Sequence, residues 1–259
     1  ALILISAPAG YGKTTLVSSW LAECKLPSSW LSLDEGDNDP IRFLQNFLAV
    51  LQKIIPAVQP DLINLLQKSL PAQDDLLLSI LINEIAAHHA PFVLILDDFH
   101  FIQDKHVLQA ITFLIDHAPA QFHLLLVTRI DPPLPLFRWR ARDQMLEIRA
   151  EKLRCTMEET TSFLNEVMGL KLSEADIGAM LSRTEGWIAG LQLAALSMQA
   201  CKDIPGFVSA FTGSHHHIMD YLAGEVLMHQ PEKVSNFLLK TSILSSMCGS
   251  LCDAVVEPG

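Results

Sequence analysis

The sequence predicts an α/β fold over residues 1–150, a parallel sheet with helices on both faces, followed by an all-helical region. Three observations carry this. Short apolar runs of strand length, at 2–5, 92–96 and 124–127, alternate with segments whose apolar residues keep helical spacing. The first run enters the loop Ala7-Pro8-Ala9-Gly10-Tyr11-Gly12-Lys13-Thr14-Thr15, which opens a helix. After about residue 150 the strand signals stop and helix caps take over.

Taken in order, Leu2-Ile3-Leu4-Ile5 is the first strand, and Leu16, Val17, Trp20 and Leu21 mark one face of the helix after Lys13. Trp30-Leu31-Ser32-Leu33 is a second strand ending in the acidic turn Asp34-Glu35-Gly36-Asp37-Asn38. Asp39-Pro40 starts a helix, with Asp as cap and Pro at the first position, and Ile41, Leu44, Leu48, Leu51 and Ile55 continue it. Pro56, Pro60 and Pro71 punctuate the next stretch before a helix over 74–88. Phe92-Val93-Leu94-Ile95-Leu96 reads as a strand buried on both faces. A helix through Val107, Ile111 and Leu114, a strand over 122–127 and a last strand over 145–148 complete the sheet. Asp131-Pro132-Pro133-Leu134-Pro135 between them is a stiff loop. Thr156-Met157-Glu158-Glu159 is a capping box, Ser173 caps a second helix, and Thr184-Glu185-Gly186-Trp187 leads into a third over 188–199. Helices over 218–228 and 232–239 follow the break at Asp203-Ile204-Pro205-Gly206. The expected domains are 1–150, 151–203 and 204–259.

Composition narrows the function classes. A formal charge of −11 argues against gripping nucleic acid by general electrostatics. Mean hydropathy is positive, yet no run nears the ~18 apolar residues of a membrane span. The odd count of five cysteines, without metal spacing, points to a reducing compartment and hence the cytoplasm. Cys248 and Cys252 read as buried thiols. The chain begins without Met and inside a strand, so it reads as a portion of a longer protein.

The loop between first strand and first helix carries the chemistry. Backbone N–H groups of Ala9, Gly10, Tyr11, Gly12, Lys13, Thr14 and Thr15 would face nucleotide phosphates, with Lys13 reaching the β/γ oxygens and the Thr14 hydroxyl joining a Mg²⁺ shell. Ala7 stands where the pattern G-x-x-x-x-G-K-[ST] has its first glycine; alanine is small enough for the turn. Asp97 and Asp98 end the buried strand as a P-loop nucleotidase needs: Asp97 for the metal's water shell, Asp98 to polarise an attacking water. Thr128-Arg129 ends the neighbouring strand, where Thr128 would bond a phosphate or water and Arg129 would offset γ-phosphate charge. Arg138, Arg140, Arg142 and Arg149 read as a solvated basic surface, and His88-His89 and His215-His216-His217 as polar turns rather than metal sites.

Three segments, SAPAGYGKTTL, LILDDFHFI and TEGWIAGLQLAALSMQ, together resemble the ATP-binding core of large LuxR-type transcriptional regulators, in the maltotriose-responsive activator class of the STAND signal-transduction ATPases. VTRIDPPLPLFRWRARDQMLEIRAEKLRCTMEE and FLLKTSILSSMCGSLCDAV extend the likeness over nearly the whole chain. The resemblance implies a P-loop NTPase domain, a helical lid and the start of a winged-helix-like domain. It implies ATP or ADP with Mg²⁺ at Lys13, Thr14, Asp97 and Asp98, and Arg129 as sensor of the γ-phosphate. Related proteins carry a lid proline near the adenine, whereas residues 186–193 have none. The implied function is a slow-hydrolysing ATP switch controlling self-association and transcription activation, with the inducer and DNA bound by parts beyond residue 259 and no membrane partner. A P-loop enzyme whose output is turnover, and a nucleotide-binding module without hydrolysis, stay open.

Overall fold

The computed structural model describes residues 1–58, 74–199, 201, 203–211, 220, 222–227, 230–244 and 246–256. They divide into two compact units, Ala1–Arg154 and Cys155–Gly259.

The first unit is a five-stranded parallel sheet of β1 (Leu2–Ser6), β2 (Ser28–Ser32), β3 (Phe92–Asp97), β4 (Phe122–Thr128) and β5 (Met145–Arg149), in the order β2-β3-β4-β1-β5. All six residues of β3 are buried, which is why the run lacks the polar alternation of a half-exposed strand. Leu94, Leu96, Leu124 and Leu126 face one side, packed with Phe43, Phe47 and Leu51 of α2 (Pro40–Gln52), Ile85 of α3 (Asp74–Ala87) and Ile111 and Leu114 of α4 (Lys105–His117). Val93, Ile95, Leu125 and Val127 face the other side, packed with Val17 of α1 (Lys13–Glu23). Helices therefore cover both faces, as the alternating pattern predicts.

One detail differs. The expected apolar face of α1 is only half used: Val17 is buried and Leu21 packs beside it, while Leu16 and Trp20 are 40% and 39% exposed. At about 100° per residue these four side chains span a wide arc, and the sheet accepts only the part centred on Val17.

Because the strands are parallel, their carboxyl ends share one edge. Ser6 pairs in register with both Thr128 and Arg149, and Ser32 pairs with Asp97. The chain leaves β1 for the far edge of the sheet, returns through β3 and β4, and passes β1 again to reach β5. Ligand crevices of open α/β sheets form at the carboxyl edge beside such a reversal.

The second unit is helical. The capping box is present: the Glu159 N–H donates to Thr156 Oγ1 and the Thr156 N–H to Glu159 Oε2. Ser173 caps α6 (Glu174–Thr184), whose exit runs through left-handed Glu185 and Gly186 into α7 (Ile188–Gln199); α5 is Met157–Thr161, continued by a π-helical turn at Ser162–Val167. Leu164, Ile177, Met180, Leu191, Ala195 and Met198 form the core. A Cβ on Gly190 would sit 2.6 Å from the Trp187 ring, so only glycine fits beneath that indole. Further on, Leu222–Leu227 is a π-helical turn, and helices occupy Glu232–Thr241 and Gly249–Val256. Cys252 is buried but Cys248 is exposed, contrary to the expectation for the pair. Of the punctuating prolines Pro60 and Pro71, and His215 to His217, all lie outside the described residues. No described helix is long and apolar enough to cross a membrane.

Candidate functional site

The loop from Ala7 to Gly12 joins β1 to α1 at the carboxyl edge. Gly10 and Gly12 adopt φ of 76° and 72°, a left-handed backbone that strains side chains bearing a Cβ. Ala7 has no such φ; it is buried, and its N–H continues the ladder to the Thr128 carbonyl at 3.3 Å. The position needs smallness rather than a left-handed backbone, which is why alanine serves there. Gly12 caps α1 without a side-chain hydrogen bond, and no acidic residue occupies the first turn. The N–H groups of that turn thus keep their capacity and their partial positive charge for an anion.

Lys13 begins the helix and is only 8% exposed. Its Nζ turns back over the loop and donates to the Pro8 carbonyl at 2.9 Å. Burial pulls its pKa below the usual lysine value, and the Arg129 charge pulls it further, against the opposing fields of Asp98 and Asp97. One other cation and two carboxylates, from two other segments, are therefore within electrostatic reach of this ammonium group.

Asp97 is the last residue of β3 and 3% exposed. It accepts from Thr14 Oγ1 at 3.1 Å through Oδ2 and from the Asp98 N–H at 2.9 Å through Oδ1. Burial raises its pKa, an effect its two hydrogen bonds oppose. Asp98 has φ 55° and opens a short 3-10 turn, Phe99–Phe101. Its Oδ1 lies 3.8 Å from His100 Nδ1. Buried Phe99 anchors that turn from within, and Asn38 holds it from outside. Asn38 Nδ2 donates to the Phe101 and Glu35 carbonyls at 2.8 and 3.0 Å, while its Oδ1 accepts from the N–H groups of Gln103 and Asp104 at 2.7 and 2.9 Å.

Thr128 does not point into the site. It is fully buried and its hydroxyl donates to the Ile130 carbonyl at 2.7 Å, closing the turn that carries Arg129. Its role is to shape that turn. Three arginines of the basic stretch are structural as well: Arg138 pairs with Asp116, Arg140 with Glu147 at 2.6 Å, and Arg149 with both Glu147 and Asp131. His88 packs edge-on against Phe92 at 5.5 Å between ring centroids. Among the described residues no three His, Cys, Asp or Glu side chains group as a metal site.

Sequence reasoning missed Asn38, His100, and the bond from Ser6 Oγ to Asp131 Oδ1 at 3.1 Å. No local signal marks Asn38 or the Ser6 bond, because the partners that matter lie on other segments, while His100 stands two residues from Asp98 in one turn. Hard oxygen donors at Thr14 and Asp97, an open helix N-terminus and a buried lysine form a donor set suited to a magnesium-bound polyphosphate.

Comparison with known proteins finds an ATPase domain in this chain. Residues 1–127 match the AAA ATPase domain family, and residues 223–258 match the MalT winged helix domain family. The chain is 35% identical over 258 residues to the HTH-type transcriptional regulator MalT of Serratia proteamaculans (strain 568), covering 96% of this chain and 28% of that protein. It is 31% identical over 257 residues to the serine/threonine-protein kinase PknK of Mycobacterium tuberculosis (strain CDC 1551 / Oshkosh), covering 98% of this chain and 23% of that protein. The chain thus spans about a quarter of the length of these curated relatives. Among solved structures, the Walker-type ATPase PABY2304 of Pyrococcus abyssi superposes with a TM-score of 0.55 at 14% identity, over 93% of this chain and 75% of that one, a likeness of fold.

Proposed function

The chain belongs to the P-loop ATPases of the MalT class, with an AAA ATPase domain and a MalT winged helix domain, and from that premise we propose that it is a regulatory ATP switch. The observation that carries the reading is Lys13 folded over a loop with left-handed Gly10 and Gly12, beside Thr14 bonded to Asp97 at 3.1 Å. An anion held by that loop would offset the charges of Lys13 and Arg129, which repel each other.

In this reading the N–H groups of residues 9–15 hold the phosphates, and Lys13 exchanges the Pro8 carbonyl for β/γ oxygens. Thr14 and Asp97 would hold Mg²⁺, which when bound neutralises phosphate charge. Asp98 orients a water and accepts its proton as the water oxygen bonds to the γ-phosphorus and the bond to the β–γ bridging oxygen breaks, releasing ADP and phosphate. Arg129 stabilises the γ-phosphate. Residues 151–203 act as the helical lid and 204–259 as part of the winged-helix domain. ATP favours a self-associating arrangement and ADP a closed one, with slow hydrolysis as the reset. Because a ligand shifts an equilibrium only by binding the two states unequally, the inducer acts by preferring one of them. The inducer and DNA are bound by other parts of the longer, cytoplasmic regulator.

The test is labelled-ATP titration of the chain and its Lys13→Ala variant, with circular dichroism as the folding control. The variant should lose affinity by about a hundredfold, the equivalent of one or two charge-assisted hydrogen bonds. Undiminished binding would sink the assignment. Light scattering with ATP and with ADP then reads self-association. Fast turnover without any effect on assembly would identify an enzyme instead, and binding without turnover a passive module.

A further inference from the structure

The turn that carries Arg129 is pinned at both ends. On one side the Thr128 carbonyl accepts from the Ala7 N–H at 3.3 Å, and the Thr128 hydroxyl caps the Ile130 carbonyl at 2.7 Å. On the other side Asp131 takes the Ser6 hydroxyl at 3.1 Å through Oδ1. The same carboxylate receives the Arg149 guanidinium, Nη1 on Oδ1 and Nη2 on Oδ2 at 3.3 Å. Arg149 is itself oriented by Glu147, which accepts from its Nε at 2.8 Å and is clamped in turn by Arg140 Nε at 2.6 Å. Ser6 is the last residue of β1 before the phosphate loop, and Arg149 the last residue of β5. Asp131 therefore ties the Arg129 turn to both strands that end beside it.

We propose that the Asp131–Arg149 ion pair positions Arg129, making Arg149 a positioning residue for recognition of a nucleotide's γ-phosphate. The inference rests on the reading of Ala7 to Thr15 as a nucleotide site and adds the device that aims its sensor. Arg149 and Asp131 side chains are 29% and 53% exposed, so the pair contributes little to stability. Its contribution is geometric. A planar fork engaged by two carboxylates has one orientation, which a flexible ammonium would not reproduce. Arg129 sits between two fixed points, Thr128 and Asp131, so freeing Asp131 frees the guanidinium without dismantling the phosphate loop.

The experiment compares affinities for fluorescent ATP and ADP with Mg²⁺ in the full chain, Arg129→Ala, Arg149→Gln, the double variant and Lys13→Ala. Arg149→Gln and Arg129→Ala should each cut the preference for ATP over ADP by about tenfold, with ADP affinity held within about twofold. The double variant should fall no further, because both changes remove one interaction. Arg149→Lys should recover only part of the preference. Asp131→Asn removes the pair from the other side and replaces Arg149→Gln if that protein fails to melt cooperatively. An unchanged ATP preference, an equal loss for ATP and ADP, or additive effects in the double variant would overturn the inference. Undiminished nucleotide binding by Lys13→Ala would instead remove the nucleotide reading on which it stands.

Discussion

Thr14 Oγ1 donates to Asp97 Oδ2 at 3.1 Å, joining residues 83 positions apart across an intervening strand. Thr14 follows β1 and Asp97 ends β3, with β4 between them in the sheet. The bond thus joins the strands on either side of β4, whose carboxyl end leads into the Arg129 turn. Phosphate loop, acidic strand end and arginine turn are one assembly because β4 is inserted between the other two strands.

Thr14→Val keeps the shape of the side chain and removes its oxygen. Affinity for ATP in Mg²⁺ should fall by about tenfold, while affinity in excess chelator stays at the wild-type value. Paired titrations of labelled ATP with and without Mg²⁺ measure this. An equal loss in both conditions would mean that Thr14 serves the fold rather than a metal shell.

Asp98→Asn should separate hydrolysis from binding. General-base assistance contributes about 10²–10⁴-fold to a rate, so single-turnover hydrolysis should drop by that order while ATP affinity changes little. The αL backbone at Asp98 supports the choice, since asparagine tolerates φ near 55° nearly as well as aspartate. Retained hydrolysis in this variant would move the water-activating role elsewhere.

Much of this was readable in the sequence, for definite physical reasons. β3 announces itself because a strand buried on both faces must be apolar throughout, and Asp97-Asp98 stands out against that run. Gly10 and Gly12 are legible because a left-handed backbone favours glycine, and Lys13 because it follows them at the helix start. The face of α1 was legible only in part, since periodicity locates an apolar arc without saying how much of it the sheet will cover. The support of Arg129 was not legible at all. Ser6 and Asp131 are 125 positions apart, and Arg149 resembles any surface arginine until β5 sets it in register with Ser6.

Asn38 spends both its donor hydrogens and its acceptor on four partners, Glu35 in its own segment and Phe101, Gln103 and Asp104 around the turn that begins at Asp98. Asn38→Ala strands two carbonyls and two N–H groups in a half-buried position. The cost should be about 2–3 kcal/mol in chemical denaturation. Because the released turn carries Asp98, kcat for ATP should fall more than KM rises. Loss of stability with an unchanged kcat would confine Asn38 to a folding role.

The charge network at the end of β5 makes an acid-pH prediction. Hydrogen bonding from Arg140, helped by Arg149, holds the Glu147 carboxyl down at about 2 against an ordinary value of 4.5. Asp131 is lowered from 3.8, chiefly by its hydrogen bonds with Arg149. Both folded-state pKa values are depressed, so the unfolded chain binds these protons first as pH falls. The stabilisation is complete above the unfolded values and is lost progressively from about pH 4.5 towards about 2. Other carboxylates titrate in the same window, so the difference between proteins is the readout. Glu147→Gln should lower Tm at neutral pH and show a shallower decline of Tm between pH 5 and 3 than wild type, with the two curves converging in acid. Raising the ionic strength should shrink the neutral-pH gap, because these groups are largely in contact with solvent. Parallel Tm curves, separated by the same amount at every pH, would mean that Glu147 supports the edge strand by packing rather than by charge.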